Sequence, residues 1–136
     1  MPNLPDHWKI NEDTNDDRPF KLATSPARNF LNSTFTETAT SRSREKRPEV
    51  LMNPSDASRL GLAQGDLVQL GNERGQTRLH VRLFDGVNPG ILVSEGIWPP
   101  SAFIDGWGIN ALVGDDSVAP HGGVAFHDVS VWARRA

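Results

Sequence analysis

The side chains of this sequence best suited to chemistry are amides and hydroxyls gathered in loops, with few acids or bases at catalytic spacing. Three stretches, Thr24 to Thr34, Trp98 to Asn110 and His121 to His127, are rich in Asn, Ser, Thr, Gly and Trp. Amides and hydroxyls read the edge of a base or a ribose, glycines let backbone N–H groups approach a pyrophosphate, and Trp98 or Trp107 offers a face for stacking on a ring. The same residue types also serve as plain turn chemistry, and tryptophans as core or interface anchors. Among the histidines, His121 and His127 stand six residues apart across a Gly-Gly pair and His80 sits on a strand face. No HExxH or His-x-His spacing accompanies them, and Asp115, Asp116 and Asp128 read as loop caps and solvated surface, so no metal site is assigned. A Gly-x-Ser-x-Gly elbow and the phosphate-binding glycine loops of the Walker and dinucleotide types are missing as well, and no catalytic residue is assigned.

Composition narrows the classes further. A length of 136 residues suits one domain that buries a core without staples. The sequence has no cysteine, which removes disulfides, thiolate metal sites and cysteine nucleophiles. The apolar runs are short, such as Gly90-Ile91-Leu92-Val93, and Met1 to Asp17 is polar, without the hydrophobic core of a signal peptide. The expectation is a cytoplasmic protein that does not meet the membrane. A net charge of −3 offers little attraction to phosphate backbones, and the basic group Arg42, Arg44, Lys46 and Arg47 lies in a polar stretch without interleaved aromatics, read as a solvated loop. Nucleic acid is not expected as a partner.

The elements that must position the loops are mainly strands. Residues 1–18 carry five Asp/Glu among Pro and Asn and read as a flexible lead-in or linker, leaving 19–136 as the domain. Phe20 to Ser25 reads as a strand ending at Pro26, followed by a polar loop from Ala27 to Glu37 with Phe30, Leu31 and Phe35 as apolar anchors. The clearest helix is short: Asn53 caps it, Pro54 suits its first turn, Ala57 and Leu60 face the core, and Gly61 ends it in the left-handed conformation. Leu67 to Leu70 alternates, Asn72-Glu73-Arg74-Gly75 turns the chain, and Leu79, Val81 and Leu83 alternate with Arg78, His80 and Arg82, giving a hairpin with one dry face. Asp85 to Gly90 is a turn, Ile91 to Ser94 a strand, Trp98 to Gly108 an irregular loop, Ile109 to Val113 a short apolar piece, and Phe126 to Trp132 a closing strand. Short strands with frequent turns and one or two short helices predict a mainly β, closed or half-closed barrel.

The order of these pieces adds to the reading. Met52-Asn53-Pro54-Ser55-Asp56-Ala57, Leu60-Gly61-Leu62, Gly65-Asp66-Leu67-Val68, Asn72-Glu73-Arg74-Gly75 and Asn88-Pro89-Gly90 follow one another in a series. From Phe20 to its end, roughly 115 residues, the chain resembles the C-terminal dinucleotide-binding domain of the molybdopterin oxidoreductases, the family of formate dehydrogenases, periplasmic nitrate reductases and dimethyl sulfoxide reductase. The resemblance implies a double-psi β-barrel that grips a guanine-dinucleotide arm of the molybdopterin guanine dinucleotide cofactor, with molybdenum or tungsten and any iron–sulfur cluster held by the remaining domains or subunits. It further implies cofactor contacts at Thr24, Ser25, Arg28, Asn29, Asn32 and Ser33 in the first loop, at Asn110 in Gly108-Ile109-Asn110-Ala111-Leu112, and at Phe126-His127. Many relatives carry an aromatic followed by Lys at the last position, whereas histidine is charged only part of the time near neutral pH. The competing functions are an interaction module on the same barrel that docks on a larger partner without touching cofactor, and a self-processing enzyme. The latter needs a Gly-Ser cleavage pair, which this sequence lacks.

Overall fold

The computed structural model describes residues 12–118, 122–127 and 129–136. Its strands are β1 (Phe20–Ser25), β2 (Glu49–Met52), β3 (Leu67–Gly71), β4 (Gln76–Leu83), β5 (Ile91–Glu95), β6 (Ser117–Val118), β7 (Gly123–Val124) and β8 (Val129–Arg135); its helices are α1 (Ala39–Glu45) and α2 (Pro54–Arg59). Six strands close into a barrel in the order β1-β5-β2-β4-β3-β8, while β6 and β7 pair with each other. β1 runs parallel to β5 and β2 parallel to β4, and every other barrel pairing is antiparallel. The two parallel pairings require long crossovers, and the result is the mainly β, double-psi barrel that the sequence implied.

Alternation explains the strands. In β4, Thr77, Leu79 and Val81 point inward while Arg78, His80 and Arg82 lie between them on the wet face. Leu22, Val50, Met52, Val68, Leu70, Leu79, Val81, Leu92 and Val131 fill the interior, each at most 1% exposed. Each such side chain stabilises the fold by roughly 1.5–3 kcal/mol before the entropy of ordering it is counted.

α2 is held as its sequence prescribes. Asn53 Oδ1 accepts from the Ser55 amide at 2.9 Å, Pro54 occupies the first turn, and Gly61 follows at φ +66° with the Leu62 amide bonded back to the Ala57 carbonyl at 2.8 Å. Leu60 is only partly buried, packed against the core from its edge. Asn53 also donates through Nδ2 to the Val87 carbonyl at 2.8 Å, which ties the helix to the turn between β4 and β5.

The structure corrects several local expectations. The closing strand starts at Val129, so Phe126 and His127 lie in the approach to it. The basic group forms helix α1 and its end, with no residue of the helix buried. Leu31 and Phe35 are exposed, leaving Phe30 as the anchor of its loop. Trp98 is 6% exposed and meets Phe30 edge-on, with centroids 4.7 Å apart, so it is a core residue and not a stacking platform. Among the described residues no helix is long and apolar enough to cross a membrane.

Candidate functional site

Strand directions decide where the candidate residues go. The C-terminal ends of β1, β3 and β5 and the N-terminal ends of β2, β4 and β8 lie at one end of the barrel, because β8 opposes β1 and β3, β2 opposes β5, and β4 follows β2. Three connections therefore emerge together: residues 26–48, the β3–β4 turn at 72–75, and the long segment from 96 to 128. Thr24 and Ser25 close β1 at this end, Arg28, Asn29, Asn32 and Ser33 sit in the first connection, and Asn110, Phe126 and His127 in the third.

The first connection is anchored before it presents anything. Ala27 and Phe30 are buried, and Gly96 passes so near that a Cβ there would lie 2.9 Å from Ala27 Cβ; with φ +79° this position needs glycine twice over. The Gly96 amide donates to the Ser25 carbonyl at 2.8 Å. Beyond Phe30, Leu31 and Thr34 bond to each other through both backbone groups and make a tight turn with Asn32 and Ser33 at its tip, Asn32 at φ +52°, a conformation that Asn tolerates. The Asn29 amide works as a brace instead, since its backbone N–H and Nδ2 both donate to Glu45 Oε1 at 2.7 Å and Arg44 reaches its Oδ1 at 3.4 Å.

Asn110 rides on a 3-10 turn, Ile109–Leu112, with Ile109 and Leu112 buried and Asn110 itself exposed. The Leu112 carbonyl accepts from Asn72 Nδ2 at 2.8 Å and from Arg74 at 3.2 Å, so the β3–β4 turn fixes this presentation. Across the barrel end, His127 Nδ1 stands 3.5 Å from Thr24 Oγ1, and Phe126 leans on the imidazole with centroids 4.3 Å apart. The structure thus joins Thr24 to His127 over 103 residues of sequence and keeps Arg28, Asn32 and Ser33 on an adjoining loop, while no hydrogen bond joins Asn110 to that loop among the described residues. The side chains of Arg28, Asn32, Ser33 and Asn110 make no hydrogen bond or ion pair among the described residues, and all four are exposed. His121 lies outside the described residues, and among those described no group of three or more His, Asp or Glu side chains is placed to hold a metal ion.

Sequence reading missed the brace around Glu12 and Arg74. A cleft of about 430 Å³ at this end is lined by Glu12, Arg18, Glu73, Arg74, Gly114, Asp116 and His127, among others. Glu12 accepts from the Ser130 amide at 2.7 Å and the Ser130 hydroxyl at 3.0 Å and pairs with Arg74; Arg18 pairs with Glu73. Burial pushes the Glu12 carboxyl up, but the Ser130 N–H, the Arg74 guanidinium and the Ser130 hydroxyl together hold it below its ordinary value of 4.5. A folded-state value below the unfolded one contributes stability that is present above pH 4.5 and lost as the pH falls through the folded value. The free energy of unfolding is therefore expected to drop on acidification below pH 4.5, and Glu12→Gln to flatten that drop, as read from urea transitions at a series of acid pH values. An unchanged pH profile in the variant would remove Glu12 from the account.

Comparison with known proteins shows the family and the fold. Residues 20–130 match the family model described as the molydopterin dinucleotide binding domain. "Probable oxidoreductase YoaE" of Bacillus subtilis (strain 168) is 36% identical over 85 residues, covering 62% of this chain and 12% of that protein. Trimethylamine-N-oxide reductase of Pasteurella multocida (strain Pm70) is 34% identical over 87 residues, covering 61% of this chain and 11% of that protein. The chain thus spans about a tenth of the length of these relatives. Among solved structures, acetylene hydratase from Pelobacter acetylenicus superposes with a TM-score of 0.73 at 19% identity over 88% of this chain and 18% of that one, which shows a shared fold. With the family pattern running from the first residue of β1 to the start of β8, the chain belongs to the molydopterin dinucleotide binding domain family, found in oxidoreductases of the dimethyl sulfoxide reductase kind and associated with a molybdopterin dinucleotide cofactor.

Proposed function

We propose that residues 19–136 form the domain that holds the guanine-dinucleotide arm of the molybdopterin cofactor, with residues 1–18 as its lead-in, and that the chain is not catalytic alone. The carrying observation is that every candidate contact belongs to one barrel end, where the side-chain donors of Arg28, Asn32, Ser33 and Asn110 are not engaged by any of the described residues. The donor set suits the ligand: a guanidinium and exposed hydroxyls match pyrophosphate oxygens, and carboxamides match both edges of a purine or a ribose hydroxyl. In this reading Thr24 and His127 meet the ligand as a pair, while Asn29 acts through α1 by keeping its loop in place. The bound cofactor supplies the redox chemistry, and its metal, molybdenum or tungsten, is held by other domains or subunits; this chain's residues bind and orient one arm.

Titration of the full chain with GDP tests the reading. Asn110→Ala is expected to weaken GDP by about 10-fold, the effect of one hydrogen bond to a polar or charged group lost. Absence of any response at Asn110 and at Thr24 to Ser33, at high ligand concentration, would overturn it.

A second reading, docking on a larger partner without cofactor contact, draws support from the same end. Of the large exposed apolar side chains among the described residues, only Phe84 lies at the opposite end; Phe35, at φ +71°, is held exposed in a conformation that bulky residues rarely adopt. Asn110→Ala separates the two, since it damages cofactor retention in the first reading and leaves partner docking intact in the second.

A further inference from the structure

The segment before β1 is bound into the candidate site. β3 ends at Gly71, opposite Trp132, so β8 runs past it and Ser130 has no β3 residue across from it. The Glu12 carboxylate takes that place, accepting from the amide and hydroxyl of the fully buried Ser130. Its other oxygen pairs with Arg74, and the Lys21 ammonium donates to its backbone carbonyl. Arg74 in turn donates to the Leu112 carbonyl at the end of the Asn110 turn, and its guanidinium lies on Gly114, where an added Cβ would come within 3.0–3.2 Å of it.

We infer that Glu12 is a positioning residue for Asn110: through Arg74 it fixes the turn that presents the Asn110 amide, so ligand grip depends on the segment that leads into the barrel. The physical reason is the shape of arginine. A planar fork held by a carboxylate on one side keeps its remaining N–H aimed at one carbonyl. Without Glu12, the guanidinium is drawn to Glu73, whose carboxylate already stands 3.9 Å away, and the bond to Leu112 is given up. Among the described residues, Asn72 is then the side chain left to donate to the Leu112 carbonyl. A shift of residues 12–18 by whatever they meet in the assembled enzyme would be felt at Asn110 by the same route.

The inference rests on the cofactor-arm reading for its consequence, but not for its mechanics, and the test separates the two. In the full chain, amide hydrogen exchange is measured at Ala111 and Val113, whose amides bond within the turn, and at Leu51 and Met52 in β2 as reference. Glu12→Gln is expected to speed exchange at Ala111 and Val113 by about 5- to 10-fold relative to β2, and to weaken GDP by a similar factor. Gly114→Ala, which crowds Arg74 without touching Glu12, should do the same. Equal acceleration at the turn and in β2 would mean global destabilisation only, and unchanged exchange at the turn would mean no brace; either overturns the inference. Failure of the unaltered chain to bind GDP would strike the cofactor reading, while exchange would still decide the brace.

Discussion

Replacing Asp56 by alanine is expected to lower the free energy of unfolding by about 3 kcal/mol, because two charge-assisted hydrogen bonds are lost inside the structure. Asp56 is fully buried on α2; one carboxylate oxygen accepts from the Gly90 amide at 2.7 Å and the other from Arg59. Gly90 sits at φ +82° and its own carbonyl accepts from the Lys21 amide at 2.9 Å, so the carboxylate joins the helix, the Pro-Gly turn and the first barrel strand. Alanine would leave the half-buried Gly90 N–H without its carboxylate acceptor, whereas the mostly exposed Arg59 would return to water, which keeps the loss below that of a fully buried ion pair. Asp56→Asn, which retains an acceptor of the same shape, should lose about half as much. Urea unfolding of the two variants measures this, and equal losses would mean that the charge, not the bond to Gly90, dominates. The candidate site is at the other end of the barrel, so folded Asp56→Asn protein should bind GDP as the unaltered chain does.

The second large effect is expected at Gly71, where valine should cost about 2–3 kcal/mol and release Trp132 from its seat. Gly71 faces Trp132 across the β3–β8 pair, and the indole lies where a side chain would be: an ideal Cβ would stand 2.5 Å from Cε2, with other ring atoms at similar or closer range. The ring is only partly buried, and its other neighbour is the Arg134 guanidinium, 4.4 Å from the centroid. It can therefore swing outward, at the expense of that cation–π contact and of the apolar cover over the strand pair. Tryptophan fluorescence should shift to the red in proportion to the loss in urea midpoint. A Gly71→Val variant with unaltered emission and stability would mean that the backbone has moved instead.

The capped helix α2, the β3–β4 hairpin and the alternation in β4 were legible because each is set within a few residues: a capping amide, a proline, a glycine, a period of two. The family series was legible for the same reason, its Asn-Pro, Gly-Asp and Pro-Gly pairs being local turn chemistry. α1 was not, since it buries no residue and leaves no apolar period to read; its Glu45 accepts from Asn29, 16 residues back. Trp98 could be placed on either side of the surface by its type, and only the packing of Phe30 against it decided for the core. Start and end of β8 were shifted because the apolar run that marks it, Val129 to Trp132, continues as Ala133-Arg134-Arg135 only by pairing with β3.

What the sequence determined by itself is five of the six barrel strands, their turns and the residue types offered in the loops, all consequences of steric preference and of which face each side chain turns to water; β2, only four residues from Glu49 to Met52, was not read as a strand and is defined by its pairing with β4 and β5. Which loops share an end was decided by the tertiary structure alone, because strand order and direction are long-range properties: β1 lies between β5 and β8, and no local signal fixes that choice. The meeting of Thr24 with His127 and the bonds that Ser130 donates to Glu12 follow from it. These contacts span 103 and 118 residues: the first exists because closing the barrel places the ends of β1 and β8 side by side, the second because β3 stops opposite Trp132 and leaves that side of Ser130 to Glu12.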